Sequence, residues 1–180
     1  LEKVTVVELK GKTKKVTTER GIYQAEKGII AAGTSPRMLG IPGEKELSGK
    51  GMTMNAARDR DAYAGKHVYV VGGSDGAVKE ALYLSKAASQ VTIIHFEDRL
   101  GCIAEFREKA EKCPNMIVRL HSRLHGVYGT ERVEALEIAD ERTGAIETIE
   151  DPGCGIFVYA GTVPNTELYG QLKLENGFIP

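Results

Sequence analysis

The run His67-Val68-Tyr69-Val70-Val71 passes into Gly72-Gly73-Ser74-Asp75-Gly76-Ala77 and then into a helical pattern. Residues of these types at this spacing suit phosphate chemistry. A strand that turns tightly on glycine into a helix aims backbone N–H groups and the positive end of a helix dipole at one point. A pyrophosphate is held in that way in dinucleotide-binding turns. The six turn residues match G-x-G-x-x-[GA] with one departure. Ser74 stands where the second glycine belongs, and its side chain crowds the space in which backbone meets phosphate. Asp75 sits where a carboxylate caps a helix start.

Such a turn works only if its neighbours are a parallel βαβ unit, and the following residues supply one. Val78, Ala81, Leu82, Ser85 and Ala88 recur at helical spacing, and Gln90-Val91-Thr92-Ile93-Ile94-His95 reads as the next strand. A strand reached through a helix in this spacing is a parallel crossover. Ile103, Phe106, Ala110 and Cys113 form a second helical stripe, followed by a strand at Met116-Ile117-Val118-Arg119-Leu120. Val133 to Ile138 alternates in polarity, Asp140 to Gly144 is a turn, and Ala145 to Ile149 returns as an antiparallel hairpin. Gly155 to Gly161 is a buried strand ending in glycine.

Upstream, Val4, Val6, Val7 and Leu9, a Lys10-Gly11-Lys12-Thr13-Lys14-Lys15 turn, Val16-Thr17-Thr18 and Ile22-Tyr23-Gln24 predict a β-hairpin or meander. Lys27 to Thr34 reads as a buried strand ending in small residues, which allow close approach of backbone or ligand. Pro36 and Pro42-Gly43 mark a linker docked by Ile41, and a short helix is expected around Ala56 to Tyr63.

The chain has 180 residues, 42% of them hydrophobic, which is ample for a packed core. Its 24 basic and 25 acidic residues leave a net charge of −1 and no electrostatic case for nucleic acid or a membrane surface. No apolar run approaches a membrane span and no signal peptide is recognisable, so a cytoplasmic protein is expected. Cys102, Cys113 and Cys154 lack any C-x-x-C or metal-ligand spacing and read as reduced packing residues, with Cys102 and Cys113 the nearest candidates for a redox pair. No metal is expected. The start at Leu1 and the stop at Pro180 suggest an excised piece.

The order of motifs resembles thioredoxin reductase and its low-molecular-weight flavoprotein relatives. The resemblance rests on Ala31-Ala32-Gly33, Pro42-Gly43-Glu44, Gly49-Lys50-Gly51-Met52, Val70 to Ala77, His95, Ala160-Gly161 and Pro164-Asn165-Thr166. It implies an α/β fold: a Rossmann-like three-layer nucleotide-binding domain with a parallel sheet and an antiparallel hairpin or meander, plus a small β-rich remnant of a flavin domain. The implied division is 1–45 and 155–180 for the flavin-domain pieces and 46–154 for the NAD(P)-binding-like domain. The resemblance further implies that Gly72, Gly73, Ser74, Asp75, Gly76 and Ala77 hold the pyrophosphate. His95 or Glu97 would meet the adenosine ribose, and Ala160-Gly161 the nicotinamide side. FAD is expected only in a longer protein.

Three departures fall on the chemistry. Asn55 and Arg58 occupy the family's two cysteine positions, so no catalytic residue is assigned and disulfide exchange by the family route is lost. Asp59 survives beside them, either as the family's acid or as one charge of an exposed Arg58-Asp59-Arg60-Asp61 pattern. Phe96-Glu97 stands where the family carries phosphate-gripping arginines. A carboxylate there repels a 2′-phosphate and accepts from a free ribose, which favours NADH over NADPH. A solvated loop charge is the alternative for Glu97, and Arg99 could shift to meet a phosphate. The expected roles are a dinucleotide-binding piece of a flavin-dependent oxidoreductase, a redox-inactive binding or regulatory module, or a flavoprotein reduced by a protein donor. Partners in the intact form would be a thioredoxin-like protein or ferredoxin, with a homodimer plausible.

Overall fold

The computed structural model describes all 180 residues. Its first elements are β1 (Val4–Glu8), β2 (Lys14–Thr18), β3 (Ile22–Ala25), β4 (Thr34–Pro36), β5 (Met52–Thr53) and α1 (Ala56–Asp59). A 3-10 turn at Arg60–Tyr63 leads to β6 (His67–Val71), α2 (Asp75–Leu84), β7 (Gln90–Ile94), α3 (Ala104–Glu111) and β8 (Met116–Arg119). β9 (Ser122–Tyr128), β10 (Ala135–Asp140), β11 (Ile146–Glu150), β12 (Gly155–Val158) and β13 (Thr162–Pro164) follow. No helix is long and apolar enough to cross a membrane.

The chain divides into two compact units, Leu1–Arg37 with Gly161–Pro180, and Met38–Ala160. These edges differ from the expected 45/46 and 154/155 for local reasons. Buried Glu44 folds the segment on itself by accepting the N–H groups of Leu39 at 2.8 Å and Gly40 at 2.7 Å, and Val127 N–H ties it to the second unit by donating to Pro42 C=O at 3.0 Å. At the other edge, β12 pairs with both β5 and β6 and so completes that unit's sheet.

In the first unit β1, β2 and β3 form the antiparallel meander read from the sequence, turning at the lysine-rich segment. The expected buried strand at Lys27–Thr34 is corrected: residues 27 to 33 are irregular and largely exposed, with Ile29 bare to solvent. A strand needs a neighbour for its amide ladder, and of residues 27 to 36 only Thr34–Pro36 pairs with one, β13. Asn165 holds the bend that precedes it. Its N–H donates to Gly33 C=O at 3.1 Å, its Nδ2 to Ala32 C=O at 3.0 Å, and its Oδ1 accepts the Ser35 hydroxyl at 2.6 Å.

The second unit has three layers. Its centre is a parallel sheet in the order β5-β12-β6-β7-β8. Helices cover one face and the antiparallel sheet β11-β10-β9 the other. Covered on both sides, β6 reads as a continuous apolar run, yet its residues still divide between the faces. Val68 and Val70 pack with Ala77, Val78, Ala81 and Leu84 of α2, whereas Tyr69 and Val71 pack with Leu124, Leu136 and Ile138 of the antiparallel sheet. Asn115 closes the end of α2, its Nδ2 donating to Ser85 C=O at 2.9 Å and Ala88 C=O at 3.0 Å.

The hairpin expected from residues 133–149 is therefore three-stranded. The unanticipated strand is β9, in which a register shift opposite Glu137/Ile138 places Gly126 and Val127 both inward and breaks the alternation.

At the N-terminal end of the parallel sheet, His67, Tyr69, Thr92 and Asp151 form a half-buried network. Asp151 Oδ2 lies 2.8 Å from His67 Nδ1 and accepts the Tyr69 hydroxyl at 2.9 Å, and His67 Nε2 lies 2.8 Å from Thr92 Oγ1. A neutral imidazole satisfies both contacts if Nδ1 donates to Asp151 and Nε2 accepts from Thr92. Burial outweighs the attraction of the carboxylate and holds the His67 pKa below its ordinary value. The unfolded chain then takes up a proton near pH 6.5 and the folded chain only at lower pH, so this group's stability contribution is present above about 6.5 and lost as pH falls below it. The urea midpoint should be lower at pH 5.5 than at pH 7.5, and His67→Gln should shrink that drop. An undiminished drop in the variant would refute the assignment.

Candidate functional site

β6 ends at Val71, and the chain leaves the sheet through Gly72, whose N–H donates to Ile94 C=O at 3.0 Å. Gly72 has φ +132, and a Cβ there would stand 2.6 Å from the Tyr159 carbonyl oxygen. Both facts demand glycine, and they let the end of β12 close against the turn, with Tyr159 N–H donating to Val71 C=O at 2.8 Å. Gly73 is required for a different reason. A Cβ at that position would lie 2.6 Å from three atoms of the His95 ring, which packs directly beneath the turn.

Ser74 is the N-cap residue of α2, with extended ψ 170 and no side-chain capping bond. The first intrahelical bond runs from Val78 N–H to Ser74 C=O at 3.0 Å, so the amides of Asp75, Gly76 and Ala77 have no carbonyl partner within the helix. Ser74, Asp75 and Gly76 are exposed, and Ala77 is buried against the core. The Ser74 side chain therefore sits at the open rim, its hydroxyl available as a further donor. An exposed helix start with free amides and a spare hydroxyl can receive a diphosphate.

The expected capping role of Asp75 is corrected. Its carboxylate does not cap α2 but accepts the Ile103 N–H at 2.8 Å, tying the start of α2 to the start of α3. A side chain at the first helical position points back past the N-terminus, where the loop after β7 passes. Arg107 fastens the same loop from below, its Nη2 donating to Cys102 C=O at 2.9 Å and Leu100 C=O at 3.4 Å. Neither residue shows this role in the sequence, because both partners are backbone groups brought close by tertiary packing.

His95 and Glu97 lie together at the C-terminal end of β7. His95 is 6% exposed, its Nε2 is 3.1 Å from Glu97 Oε2, and its Nδ1 is buried without a hydrogen-bond partner. Glu97 is exposed, and its carboxylate faces Gly101, where an added Cβ would be 3.9 Å away. Ala160 follows Tyr159 at the edge of the second core cluster. Gly161 falls in the other unit, where its carbonyl accepts Arg37 N–H at 3.0 Å. The second unit thus gathers Gly72 to Ala77, His95, Glu97 and Ala160 around one end of the sheet.

Asn55 and Arg58 have structural work. Asn55 caps α1, its Oδ1 accepting Arg58 N–H at 3.0 Å, and Arg58 grips Asp59 at 2.6 and 2.8 Å. Asp59 also accepts the Thr53 hydroxyl, and the Arg58 guanidinium holds its carboxyl below the usual range. The Ala56 N–H donates to the Tyr159 hydroxyl at 3.2 Å, which joins α1 to the β12 end. Cys102 and Cys154 are buried, one in each core cluster, and Cys113 donates to Asn115 Oδ1 at 3.2 Å; all three are free thiols.

A family model described as pyridine nucleotide-disulphide oxidoreductase matches residues 1–180. The chain is 37% identical over 185 aligned residues to a thioredoxin reductase of Peptoclostridium acidaminophilum, covering 99% of this chain and 59% of that protein. It is 36% identical over 186 residues to one of Peptoclostridium litorale, covering 100% and 59%. Among solved structures, the Lactococcus lactis thioredoxin reductase in its FR conformation superposes with a TM-score of 0.89 at 30% identity, covering 97% of this chain and 57% of that one. The chain spans somewhat under three fifths of these relatives.

The clash beneath Gly73 is testable as a coupling. Gly73→Ala should destabilise the protein by roughly 1–3 kcal/mol as overpacking against His95, and His95→Ala in the same chain should recover most of that loss. Additive losses in a denaturation double-mutant cycle would show that His95 is not what confines the turn.

Proposed function

Because the chain belongs to the pyridine nucleotide-disulphide oxidoreductase family, we propose that Met38–Ala160 is the nicotinamide-nucleotide unit of a thioredoxin reductase-like protein. A longer form of that protein would carry FAD and accept electrons from the nucleotide. The observation that carries this reading is the exposed start of α2 at Ser74–Gly76, set at the C-terminal end of β6 between parallel neighbours. When bound, the dinucleotide supplies hydride. The protein's part is placement. The free amides from Asp75 to Ala77, with the Ser74 hydroxyl, bind the diphosphate. Ala160 lies on the nicotinamide side, reached through the close approach of Tyr159 to Gly72.

Glu97 gives the site its preference. Its carboxylate accepts hydrogen bonds from an unphosphorylated ribose and repels a 2′-phosphate, and the contact with His95 Nε2 restrains it at the rim. NADH is therefore the favoured nucleotide, and Arg99, exposed two residues on, is the only nearby cation of the loop that could oppose the preference.

With Asn55 and Arg58 at the two thiol positions, the acceptor of the longer protein is not reduced by thiol exchange there. A thioredoxin-like partner would need thiols from elsewhere. The same two residues, together with Glu97, favour a second reading, in which the longer protein is reduced by a protein donor such as ferredoxin; flavin bleaching with reduced ferredoxin and not with NADH tells it apart. In either case a homodimer is the proposed assembly.

Calorimetric titration of the chain tests the first reading. NADH should bind more tightly than NADPH, and Glu97→Gln should narrow the gap by roughly tenfold, equivalent to about 1.4 kcal/mol. No heat with either nucleotide would overturn nucleotide binding, and tighter NADPH binding would overturn the role of Glu97.

A further inference from the structure

Phe96 separates the buried His95 from Glu97, and its ring is 47% exposed. A lone exposed aromatic is ordinary, but this one has a fixed backing. The guanidinium of Arg123, from β9, lies 4.6 Å from the ring centroid. Both Nε and Nη2 of that guanidinium are held by Glu141, from the turn after β10, at 3.0 and 3.1 Å. Its fork is thus spent on a carboxylate rather than offered to a phosphate, and what remains is a flat cation held against one face of the ring. The His95 ring braces the side, with centroids 5.1 Å apart and planes at 57°. His121, in the left-handed region at φ +49, locks the loop from the next strand end, its N–H donating to Glu97 C=O at 3.0 Å.

We propose that Phe96, backed by Arg123 and Glu141, is a stacking platform for the adenine base of the ligand whose diphosphate sits on the glycine turn. The proposal rests on the nucleotide reading above and assigns the base a place beside the ribose-reading Glu97. The acid after the second strand of a parallel βαβ unit meets the adenosine ribose, so a ring one residue away stands on the adenosine side. A base presents a π-face to the part of Phe96 left exposed, while the cation against the ring strengthens the stack. The contact needs neither the nicotinamide nor a 2′-phosphate. The ligand class it selects is the adenosine diphosphate moiety, shared by ADP, ADP-ribose and the dinucleotides.

The chain has no tryptophan, so Phe96→Trp introduces a single indole whose emission reports on this position alone. ADP-ribose should quench that emission saturably, and inorganic pyrophosphate, which lacks a base, should not. By calorimetry, Phe96→Ala should weaken ADP-ribose by about tenfold, while Phe96→Tyr keeps the affinity within a few-fold. Unchanged ADP-ribose affinity in Phe96→Ala, or unchanged indole emission on binding, overturns the platform while leaving the glycine-turn reading standing. No binding of ADP-ribose or NADH by the unsubstituted chain overturns both.

Discussion

At the C-terminal end of β6 there is room for backbone and for nothing more. The Tyr159 carbonyl occupies the place of a side chain on Gly72, and the His95 ring occupies the place of one on Gly73. Three parallel strands can end together only because of this. β12 comes up beside the turn, β7 passes beneath it, and α2 starts in the open above it. A methyl group at either glycine would push one of these neighbours away, and the groups around the site would no longer share one rim.

That crowding is sustained from below by the layers of the second unit. β6 is buried on both faces, with Val68 and Val70 toward the helices and Tyr69 and Val71 toward the antiparallel sheet. Neither face can slip in register without moving apolar groups out of place, so the point at which the strand ends is well determined. The loop after β7 is fixed separately, by Asp75 on the Ile103 amide and Arg107 on the carbonyls of Leu100 and Cys102. Rigid strand ends joined to a pinned loop are what a binding site of defined shape requires.

The residues expected to differ from a thioredoxin reductase pattern are not idle. Asn55 caps α1 and Arg58 is the partner of Asp59, so both side chains help to hold the segment. At the rim, Glu97 is joined to His95, and Phe96 is covered by a guanidinium committed to Glu141. Together they leave a surface of carboxylate and aromatic ring just past the end of β7. The two sets of residues belong to different elements, one to α1 and the residue that caps it, the other to the loop after β7.

Local pattern was enough to read the parallel βαβ unit, the glycine turn, the N-terminal meander and the β10–β11 hairpin, since each depends on periodicity and turn residues that act over a few positions. Segments whose conformation depends on distant partners are not legible from local pattern. Lys27 to Gly33 has strand composition but no neighbour to pair with, and β9 hides its alternation behind a bulge at Gly126 and Val127. The sequence by itself therefore determined most of the stretches that become strand, turn or helix, and that the chain turns on glycine from strand into helix after Val71. Only the tertiary structure decided that Asp75 secures a loop instead of capping its own helix, that His95 fills the space Gly73 leaves, and that Arg123 stands behind Phe96. The physical reason is that these contacts join residues 22 to 28 positions apart in sequence, where side-chain position follows from how the layers pack and not from local propensity.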